Sequence, residues 1–362
     1  MPPETPNPPQ FGGWLRIPRQ SGACFSLPNV ILAPSEDQPM TPHTAQPPIH
    51  RRALLIGAAA AAITGCSRKP LPGQEPAVSI LRAAAYDQGL YETVRRLIAL
   101  HRLDVRGKRV LLKPNLVDFD PQAPINTHPL VVHSVLEALR AAGAAQVLIG
   151  EGPANRRDTL ELAEAAGYLA TIPDFDNIFV DLNLDDLERV RLSRPGSDLT
   201  ELYLPFTALR SDLMISLPKM KTHRFAGVTL SMKNWFGLVP GSVYGWPKNR
   251  LHWAGIDVCV KALHQLFPRA FAIVDAIEGM EGNGPIQGTP RHVGVLVAGS
   301  DLPAVDSTCC RIMGIEPGRI SSIRETSERG QWVEANVRQA GENIAAVRTR
   351  FSVIPEFRNI LS

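Results

Sequence analysis

The amino-acid sequence predicts an α/β fold, a mostly parallel sheet with helices on both faces. Short apolar runs alternate with longer amphipathic segments from about residue 78 to residue 314. Fully apolar runs are typical of strands that are buried on both faces, as the strands of parallel sheets are. Their regular alternation with helices indicates βαβ units. About 250 residues are enough for one large domain of this class.

The first half of this region contains strands and helices in strict alternation. The second of its helices has clear end signals, because Pro129 suits a first turn, Thr127 is a candidate cap and Gly143 is a stop residue. Gly167 closes the next helix in the same way. In chain order the predicted elements are strand Val78–Leu81, helix Leu90–His101, strand Val110–Leu112, helix Pro129–Ala142, strand Val147–Ile149 and helix Asp158–Ala166.

The second half continues the pattern and then becomes irregular. Its predicted strands are Ile178–Val180, Leu213–Ile215, Phe271–Val274 and Val293–Val297, and its predicted helices are Ala254–Phe267 and Leu302–Met313. Gly314 is a stop signal for the last helix. We therefore predict one α/β domain over residues 77–318 and a C-terminal appendage over residues 319–362.

Four of the predicted strands end in an ionisable residue. Lys113, Glu151, Lys219 and Asp275 each follow an apolar run. In open α/β sheets, ligands bind in the crevice beyond the carboxyl ends of the strands. The four side chains are thus expected to share one site. The alternative is that each strand ends in a charged residue simply because it reaches solvent there.

The segment Ser216–Gly241, SLPKMKTHRFAGVTLSMKNWFGLVPG, is the most informative part of the chain. Cationic and polar side chains follow the strand Leu213–Ile215 without acidic partners beside them: Lys219, Lys221, Thr222, His223, Lys233 and Asn234. Such a cluster indicates a site for a small anionic ligand, a carboxylate or a phosphate. In this hypothesis Lys113, Lys219 and Lys221 hold the anion, while His223 or Asp275 moves a proton.

A second cluster places three carboxylates in a glycine-rich segment. Asp275, Glu278 and Glu281 lie within seven residues that also contain Gly279, and more glycines follow. Glycine lets the backbone approach a ligand closely, and carboxylates at this spacing suit a hard divalent cation such as Mg²⁺. A flexible acidic surface loop is the alternative interpretation. The cofactor is otherwise left unknown.

His128 and His223 are the histidines with the most informative neighbours. His128 stands at the predicted start of a helix, where anions bind well. Cations around His223 would lower its pKa and keep the imidazole neutral, suited to act as a base or a ligand. A capping or packing role is the alternative for both. Asp306, in an apolar helix start, is expected to cap that helix or to face the site.

The beginning of the chain predicts export. Arg51 and Arg52 precede the apolar run Ala53–Ile63, which is too short for a membrane span of about 20 residues. The run leads to Cys66, so residues 40–66 resemble a twin-arginine signal with a lipobox, in which Cys66 is lipidated. A buried Ala-rich helix with a chance cysteine is the alternative. Residues 67–76 are predicted to be a linker, and residues 1–39 to be disordered or to precede the true start at Met40.

Composition excludes several classes of protein. Hydrophobic residues make up 44% and charged residues 20% of the chain, as in ordinary globular domains. A formal net charge of +3 is too small to indicate a nucleic-acid partner. After Cys66 only Cys259, Cys309 and Cys310 remain, and the chain has no Cys-x-x-Cys motif. We therefore expect neither an iron–sulfur cluster nor a cysteine-rich zinc site.

Several motifs together resemble the domain of unknown function 362 family. They occur in order between about Val78 and Gly314 and include the segment Ser216–Gly241. The others are KPNLV from Lys113 with Asn115, THP from Thr127 with His128, IGEGP around Glu151, EGMEGNGP from Glu278 with Arg291, and AVD ending at Asp306. The resemblance implies that these polar positions line a site. Many members also carry a ferredoxin-like module, which is absent here. The layout is also similar, at the level of the fold, to lactate racemases, where a strand-end site holds nickel.

Two functional hypotheses follow. The first is an exported, lipid-anchored enzyme that acts on a small anionic ligand and works at the periplasmic face of a bacterial membrane. The second is a periplasmic binding or accessory protein that delivers a metal or an anionic ligand unchanged. The expected partners in both are the membrane, through lipid on Cys66, and the twin-arginine export machinery.

Overall fold

A ten-stranded mixed sheet carries the main architecture of the protein. The computed structural model describes residues 77–154, 157–196 and 199–362. The predicted signal and linker, residues 40–76, and the segment 1–39 lie outside the described residues. The strands are β1 (Val78–Arg82), β2 (Arg109–Pro114), β3 (Gln146–Glu151), β4 (Phe179–Asp181), β5 (Leu187–Gly196), β6 (Leu199–Pro205), β7 (Leu213–Leu217), β8 (Lys219–His223), β9 (Gly227–Thr229), β10 (Ala270–Asn283), β11 (Gln287–Gly299) and β12 (Gln339–Gly341).

Helices connect most of these strands and cover the sheet. They are α1 (Leu90–Leu100), α2 (Pro129–Ala141), α3 (Thr159–Ala165), α4 (Tyr168–Thr171), α5 (Phe175–Ile178), α6 (Phe206–Leu209), α7 (Ser231–Asn234), α8 (Gly241–Tyr244), α9 (Asn249–Ala254), α10 (Ile256–Leu266), α11 (Leu302–Met313), α12 (Ser321–Thr326) and α13 (Ile344–Val347). Short 3-10 turns occur at Trp235–Leu238, Pro317–Arg319, Glu334–Asn336 and Pro355–Ile360. None of the described helices is long and apolar enough to cross a membrane.

The order of the strands is β12-β1-β11-β10-β7-β2-β3-β4, with β8 added beside β10 and β9 beside β8. Pairs within β10-β7-β2-β3-β4 are parallel, whereas β11 is antiparallel to both β1 and β10. The reversal at β11 occurs because a short hairpin joins it to β10, and a hairpin makes neighbouring strands antiparallel. The predicted fold class, a mostly parallel sheet with helices on both faces, is confirmed.

Each face of the sheet has its own hydrophobic core. On β10, Val274 belongs to one core, and Ile273 and Ile277 belong to the other, because successive strand residues leave opposite faces. We call these the α11 face, which α10 and α11 cover, and the α2 face, which α1 and α2 cover. Predicted helices and strands outside the polar segments match the observed elements to within a few residues.

The structure differs from expectation in the two polar segments. Lys219–His223 is itself a strand, β8, which pairs in parallel with β10 and antiparallel with β9. The segment Glu278–Asn283, interpreted above as a loop, continues strand β10 and pairs with β11 from Gln287 onward. Cross-strand pairing rather than local propensity decides both, since glycine and charged residues have low strand propensity. The β5-β6 hairpin was not predicted either.

The C-terminal segment, predicted as an appendage over residues 319–362, is built into the fold. Its strand β12 pairs in parallel with β1 at one edge of the sheet. Phe351 is fully buried, and Val353 bridges to Gly282 of the β10-β11 hairpin. The described residues belong to one compact unit, and the C-terminal segment forms part of its core.

Candidate functional site

The four strand-end charges form two separate buried ion pairs. Lys113 pairs with Glu151, and Lys219 Nζ lies 2.7 Å from Asp275 Oδ2. Strand alternation separates them, because Lys113 continues the α11 face of Leu111, whereas Asp275 continues the α2 face of Ile273. The expectation that all four side chains share one cleft is therefore wrong. Opposite charges on adjacent strands neutralise each other in pairs instead.

The Lys219–Asp275 pair belongs to a closed hydrogen-bonded network. Tyr86 donates its hydroxyl to Asp275 Oδ1 at 2.9 Å, and the backbone N–H of His128 donates to Asp275 Oδ2 at 2.9 Å. Lys219 Nζ also donates to the Tyr86 hydroxyl at 2.9 Å. Both side chains of the pair are almost completely buried, and neither is part of the wall of the cavity described below. Lys219 as an anion ligand and Asp275 as a base or metal ligand are thus corrected to structural roles.

His128 and Thr127 support the same region. The His128 ring stacks on Tyr86 with centroids 3.8 Å apart, and its Nδ1 accepts from Leu130 N, so His128 and not Thr127 caps α2. Burial lowers the pKa of His128 to about 4, which keeps it neutral. Thr127 Oγ1 donates to Leu217 O at 2.5 Å and accepts from Asn115 N. Both residues join α2 to the sheet and lie outside the cavity described next.

A cavity of about 340 Å³ opens at the carboxyl end of the sheet. Its wall includes the Lys113–Glu151 pair and does not include the Lys219–Asp275 pair. It contains seven of the residues predicted from the sequence: Lys113, Asn115, Glu151, Lys221, His223, Lys233 and Asn234. It does not contain Thr127, His128, Lys219, Thr222, Asp275, Glu278, Glu281 or Arg291. Sequence reasoning missed several polar residues of its wall, among them Thr229, Lys248 and His252.

The Lys113–Glu151 pair forms the floor of the cavity. Glu151 also accepts from Leu116 N at 3.1 Å and from Gly152 N at 2.9 Å. Lys113 Nζ donates to Pro114 O at 2.9 Å as well. Asn234 Nδ2 donates to Lys113 O at 2.9 Å, which ties α7 to the end of β2. Burial lowers the pKa of Lys113, and the Glu151 carboxylate opposes part of that shift.

Lys221 is buried without a carboxylate among the described residues. Its Nζ donates to Ile125 O at 2.8 Å and to Pro285 O at 3.2 Å. Burial, followed by the positive charges of Lys219 and Lys233, holds its pKa well below the usual lysine value. Two carbonyl acceptors satisfy both hydrogens of a neutral amine and leave its lone pair available. The neighbouring residue, Thr222, donates from its hydroxyl to Gly282 O at 2.9 Å. This hydrogen bond joins β8 to the β10-β11 hairpin.

Lys233 has a different environment. Its Nζ lies 3.9 Å from the centroid of the Phe236 ring, and no hydrogen bond or ion pair joins it to any described residue. Burial and then the charge of Lys113 lower its pKa to about 8. Asp306 fixes the helix that carries it, because the Asp306 carboxylate accepts from Ser231 N at 2.8 Å and from Met232 N at 3.1 Å. Asp306 therefore caps α7 rather than its own helix α11.

His223 can donate a hydrogen bond into the cavity from its ring, but it has no free ring nitrogen to accept a proton. Its Nδ1 accepts from the backbone N–H groups of Phe225 and Ala226, both at 3.1 Å. The neutral ring therefore carries its proton on Nε2. Burial, and then the charges of Lys233 and Lys221, hold its pKa well below the usual histidine value. The hypothesis that His223 accepts a proton is corrected accordingly.

Lys248 forms another part of the cavity wall. It is completely buried, has φ of +67°, and donates from Nζ to Gly152 O at 2.8 Å and to Phe236 O at 2.9 Å. Burial lowers its pKa to about 7. The sequence held little signal for it, because it follows Lys233 by fifteen positions in a Pro-Lys-Asn turn. The sequence likewise gave no indication that Tyr86, which follows β1, would bind Asp275 and Lys219.

Two polar atoms in the wall lack a partner. Asn115 Oδ1 and Thr229 Oγ1 are buried, and neither makes a hydrogen bond within the described part of the chain. Leaving a buried polar atom unpaired costs about 1–3 kcal/mol. Both residues line the cavity. A ligand with hydrogen-bonding groups would satisfy them.

The predicted divalent-metal set is not assembled. Glu278 and Glu281 are three residues apart on β10 and so leave opposite faces of that strand. Glu281 accepts from Ser352 N at 2.8 Å and lies 4.0 Å from Arg291, while Asp275 is committed to Lys219. In residues 77–154, 157–196 and 199–362, no group of three or more His, Cys, Asp or Glu side chains is placed to hold a metal. These residues do not fit a metal centre.

Two solved structures have a distant likeness to this chain. The lactate racemase apoprotein of Thermoanaerobacterium thermosaccharolyticum is 15% identical, with 67% of this chain and 59% of that chain covered and a TM-score of 0.40. A structural-genomics protein from Thermotoga maritima is 14% identical, with 64% and 60% covered and a TM-score of 0.42. This chain thus spans about three fifths of each, and the likeness is too weak to support a functional argument.

Similarity at the level of the sequence is stronger. The thylakoid-associated protein sll1697 of Synechocystis sp. is 31% identical over 266 residues, which are 70% of this chain and 79% of that protein. The family model for a domain of unknown function, DUF362, matches residues 110–311. These residues include both ion pairs and nearly all of the cavity wall. The chain belongs to the family of proteins with the domain of unknown function DUF362.

Proposed function

We propose that the cavity binds a small anion, a carboxylate or a phosphate, and that the protein acts on it as an enzyme. The observation that carries this proposal is Lys233, a cationic side chain that faces the cavity without an acceptor among the described residues. Lys233 is partly buried, and shielding an amine from water favours either a counter-charge beside it or the loss of its proton. A bound anion would supply the counter-charge.

The balance of charge around the cavity supports an anion. Basic side chains in its wall outnumber acidic ones: they are Lys113, Lys221, Arg224, Lys233 and Lys248, against Asp118 and Glu151. Glu151 is already paired with Lys113, and Asp118 is paired with Arg157. Among the described residues, neither carboxylate is therefore left to pair with Lys233. In a site shielded from water, such an interaction is stronger than at the surface.

Lys221 supports an enzyme rather than a passive binder. Burial lowers its pKa and so shifts it toward the neutral amine, which can accept a proton, while its two hydrogen bonds to carbonyl oxygens hold the nitrogen in place. Lys221 takes the role assigned above to His223 or Asp275. The reaction expected of such a site is removal of a proton from the carbon beside the anionic group. The alternative is a binding or accessory protein that returns its ligand unchanged.

Calorimetric titration with acetate and with phosphate tests the anion site. Wild-type protein should bind at least one of them, and Lys233→Gln should weaken that affinity by at least about tenfold, because a charge-assisted hydrogen bond contributes about 1.5–3 kcal/mol. Lys108→Gln is the matched control, since Lys108 lies at the amino end of β2, away from the cavity. Equal binding by all three proteins, or none, would refute the proposal.

Incorporation of deuterium into the ligand, measured in deuterated buffer, distinguishes the enzyme hypothesis from the binding-protein hypothesis. An enzyme should place deuterium on the carbon beside the anionic group, and Lys221→Met should abolish this while anion affinity persists. A wild-type protein that binds small carboxylates but returns them all without deuterium is the binding protein of the alternative hypothesis.

We also propose that the protein is exported and lipid-anchored through Cys66, which lies outside the described residues. The twin arginines, the apolar run and the cysteine at its end support this proposal. The name of the Synechocystis relative describes that protein as thylakoid-associated, which agrees with attachment to a membrane.

A further inference from the structure

We propose that Lys233 forms a Schiff base with the carbonyl group of a small anionic aldehyde or ketone. This inference rests on the proposed function and names its substrate class. A primary amine reacts with a carbonyl only when its nitrogen has a free lone pair and can reach the substrate. Lys233 faces the cavity, makes no hydrogen bond within the described residues, and lies on the Phe236 ring.

The environment of Lys233 matches the two known ways to activate an amine. An apolar surrounding and a neighbouring cation both favour the neutral form. Burial supplies the first and Lys113 supplies the second. With a pKa of about 8, roughly one tenth of the amine is neutral at pH 7. The Asp306 cap on α7 fixes the backbone from which Lys233 extends, and the Phe236 ring lies 3.9 Å from its Nζ, so the amine is partly ordered before attack.

The other basic residues of the cavity are less suited. Lys113 is held by Glu151 in a buried ion pair. Lys248 is directed to two backbone carbonyls. Lys221 is similarly directed to Ile125 O and Pro285 O, so its nitrogen is positioned to take up a proton and not to move toward a substrate.

The chemical step balances with one proton from solvent. The Lys233 nitrogen lone pair forms a bond to the carbonyl carbon, and the carbonyl π electrons move to oxygen, which gives an ammonium and an alkoxide. Lys221 carries one ammonium proton to the alkoxide, which becomes the hydroxyl of the carbinolamine. It then carries the second nitrogen proton to that hydroxyl as the C–O bond breaks and the nitrogen electrons form the C=N bond, so that water leaves. Amine and carbonyl thus become an imine and one water, and a proton from solvent converts the imine into the iminium. The iminium is again a cation, so the anionic group of the substrate keeps its counter-charge.

The unpaired polar atoms fit the carbinolamine through which this reaction passes. Its hydroxyl can donate to Asn115 Oδ1 and accept from Thr229 Oγ1, the two buried atoms of the wall without a partner among the described residues. A hydroxyl that satisfies both atoms would be stabilised relative to the free carbonyl, which can only accept.

Reductive trapping tests the inference. The full chain is incubated briefly with glyoxylate and sodium cyanoborohydride, and modified peptides are quantified by mass spectrometry. Lys233 should be labelled at least about tenfold faster than Lys108, because exposed lysines are almost fully protonated at neutral pH. The rate should rise with pH and level off above about 8, since only the neutral amine reacts. Acetaldehyde, which has no charge, should label Lys233 more slowly than glyoxylate does.

Lys233→Arg separates this inference from the proposed function. Arginine keeps the cation, so acetate or phosphate binding should persist while the adduct disappears. If the wild-type protein binds these anions but glyoxylate labels Lys221, or labels Lys233 no faster than Lys108, the Schiff base is wrong and the anion site stands. If it binds no anion and forms no adduct, both proposals fail.

Discussion

At the residue scale, a lysine removed from water must either keep a counter-charge or lose its proton, and this chain shows both outcomes. Lys113 and Lys219 are each paired with a buried carboxylate. Lys221 and Lys248 donate to backbone carbonyls instead, and burial lowers the pKa of both. Lys233 alone among these five has neither kind of partner in the described residues, which is why the proposed chemistry is assigned to it.

Asp275→Asn tests the structural role of the network on the α2 face. It would leave the Lys219 ammonium buried without its carboxylate, and breaking a buried pair in this way costs about 3–5 kcal/mol. We expect the free energy of unfolding in urea to fall by that order, while the anion affinity of the folded protein stays within about twofold of wild type.

Glu137→Gln is the control for this substitution, because Glu137 pairs with Arg140 on the exposed surface of α2. It should change stability very little. If Asp275→Asn instead leaves unfolding unchanged and abolishes anion binding, the network belongs to the functional site and the division into two clusters is wrong.

At the scale of elements, close packing of the turn Trp235–Leu238 against β2 and β3 forms the floor of the cavity. A Cβ on Gly237 would lie 2.1 Å from Glu151 Oε1 and 2.4 Å from Lys113 Nζ. No side-chain atom fits there without displacing the ion pair. The glycine thus allows the turn to close over the pair, which in turn positions α7 and Lys233.

Gly237→Ala should therefore separate Lys113 from Glu151 and move the turn. We expect a loss of stability of about 1–3 kcal/mol, as for other overpacked sites, together with loss of anion binding. Differential scanning calorimetry and titration with acetate or phosphate measure the two effects.

Gly89→Ala is the matched control, since Gly89 has an ordinary helical φ of −69° and meets only the flexible Asp87 side chain at 3.1 Å. Wild-type behaviour of Gly237→Ala in both measurements would show that the turn does not constrain the ion pair.

At the scale of the whole molecule, the two buried clusters lie at one end of the sheet but on different faces. The network around Asp275 joins Tyr86, which follows β1, to the start of α2 and to β8 and β10, and so contributes to the folded core. The cavity is formed by the same sheet end together with α7 and the turn at Lys248. Stability and ligand binding are thus assigned to separate groups of charges.

Attachment to the membrane is expected to depend on one residue. Cys66→Ala should abolish incorporation of labelled fatty acid and release the protein from the membrane fraction or leave it unprocessed. Arg51→Lys with Arg52→Lys should retain the protein in the cytoplasm, because the arginine pair is the export signal. Cys259→Ala is the control, since that cysteine is buried inside the fold. A wild-type protein found only in the soluble cytoplasmic fraction contradicts the export proposal.

The class of fold and many residues of the site can be predicted from local sequence patterns. Buried parallel strands need continuous apolar runs, and helices need amphipathic periodicity and end signals, so both leave local patterns at Val110–Leu112 or around Pro129 and Gly143. Lys113 was predicted because it follows an apolar strand, and Lys221, His223 and Lys233 because basic residues without acidic neighbours cluster there. The family was recognised from the motifs that contain them.

Only the tertiary structure decided which charges meet. The register of β8 against β10 places Lys219 beside Asp275, and strand alternation turns that pair away from Lys113. Lys248 reaches the cavity through a turn whose position depends on packing with Gly152 and Phe236. Charged side chains that are far apart in the chain are brought together or kept apart by the fold, and their burial then shifts their pKa values. The distances between such side chains cannot be inferred from the local sequence around each of them.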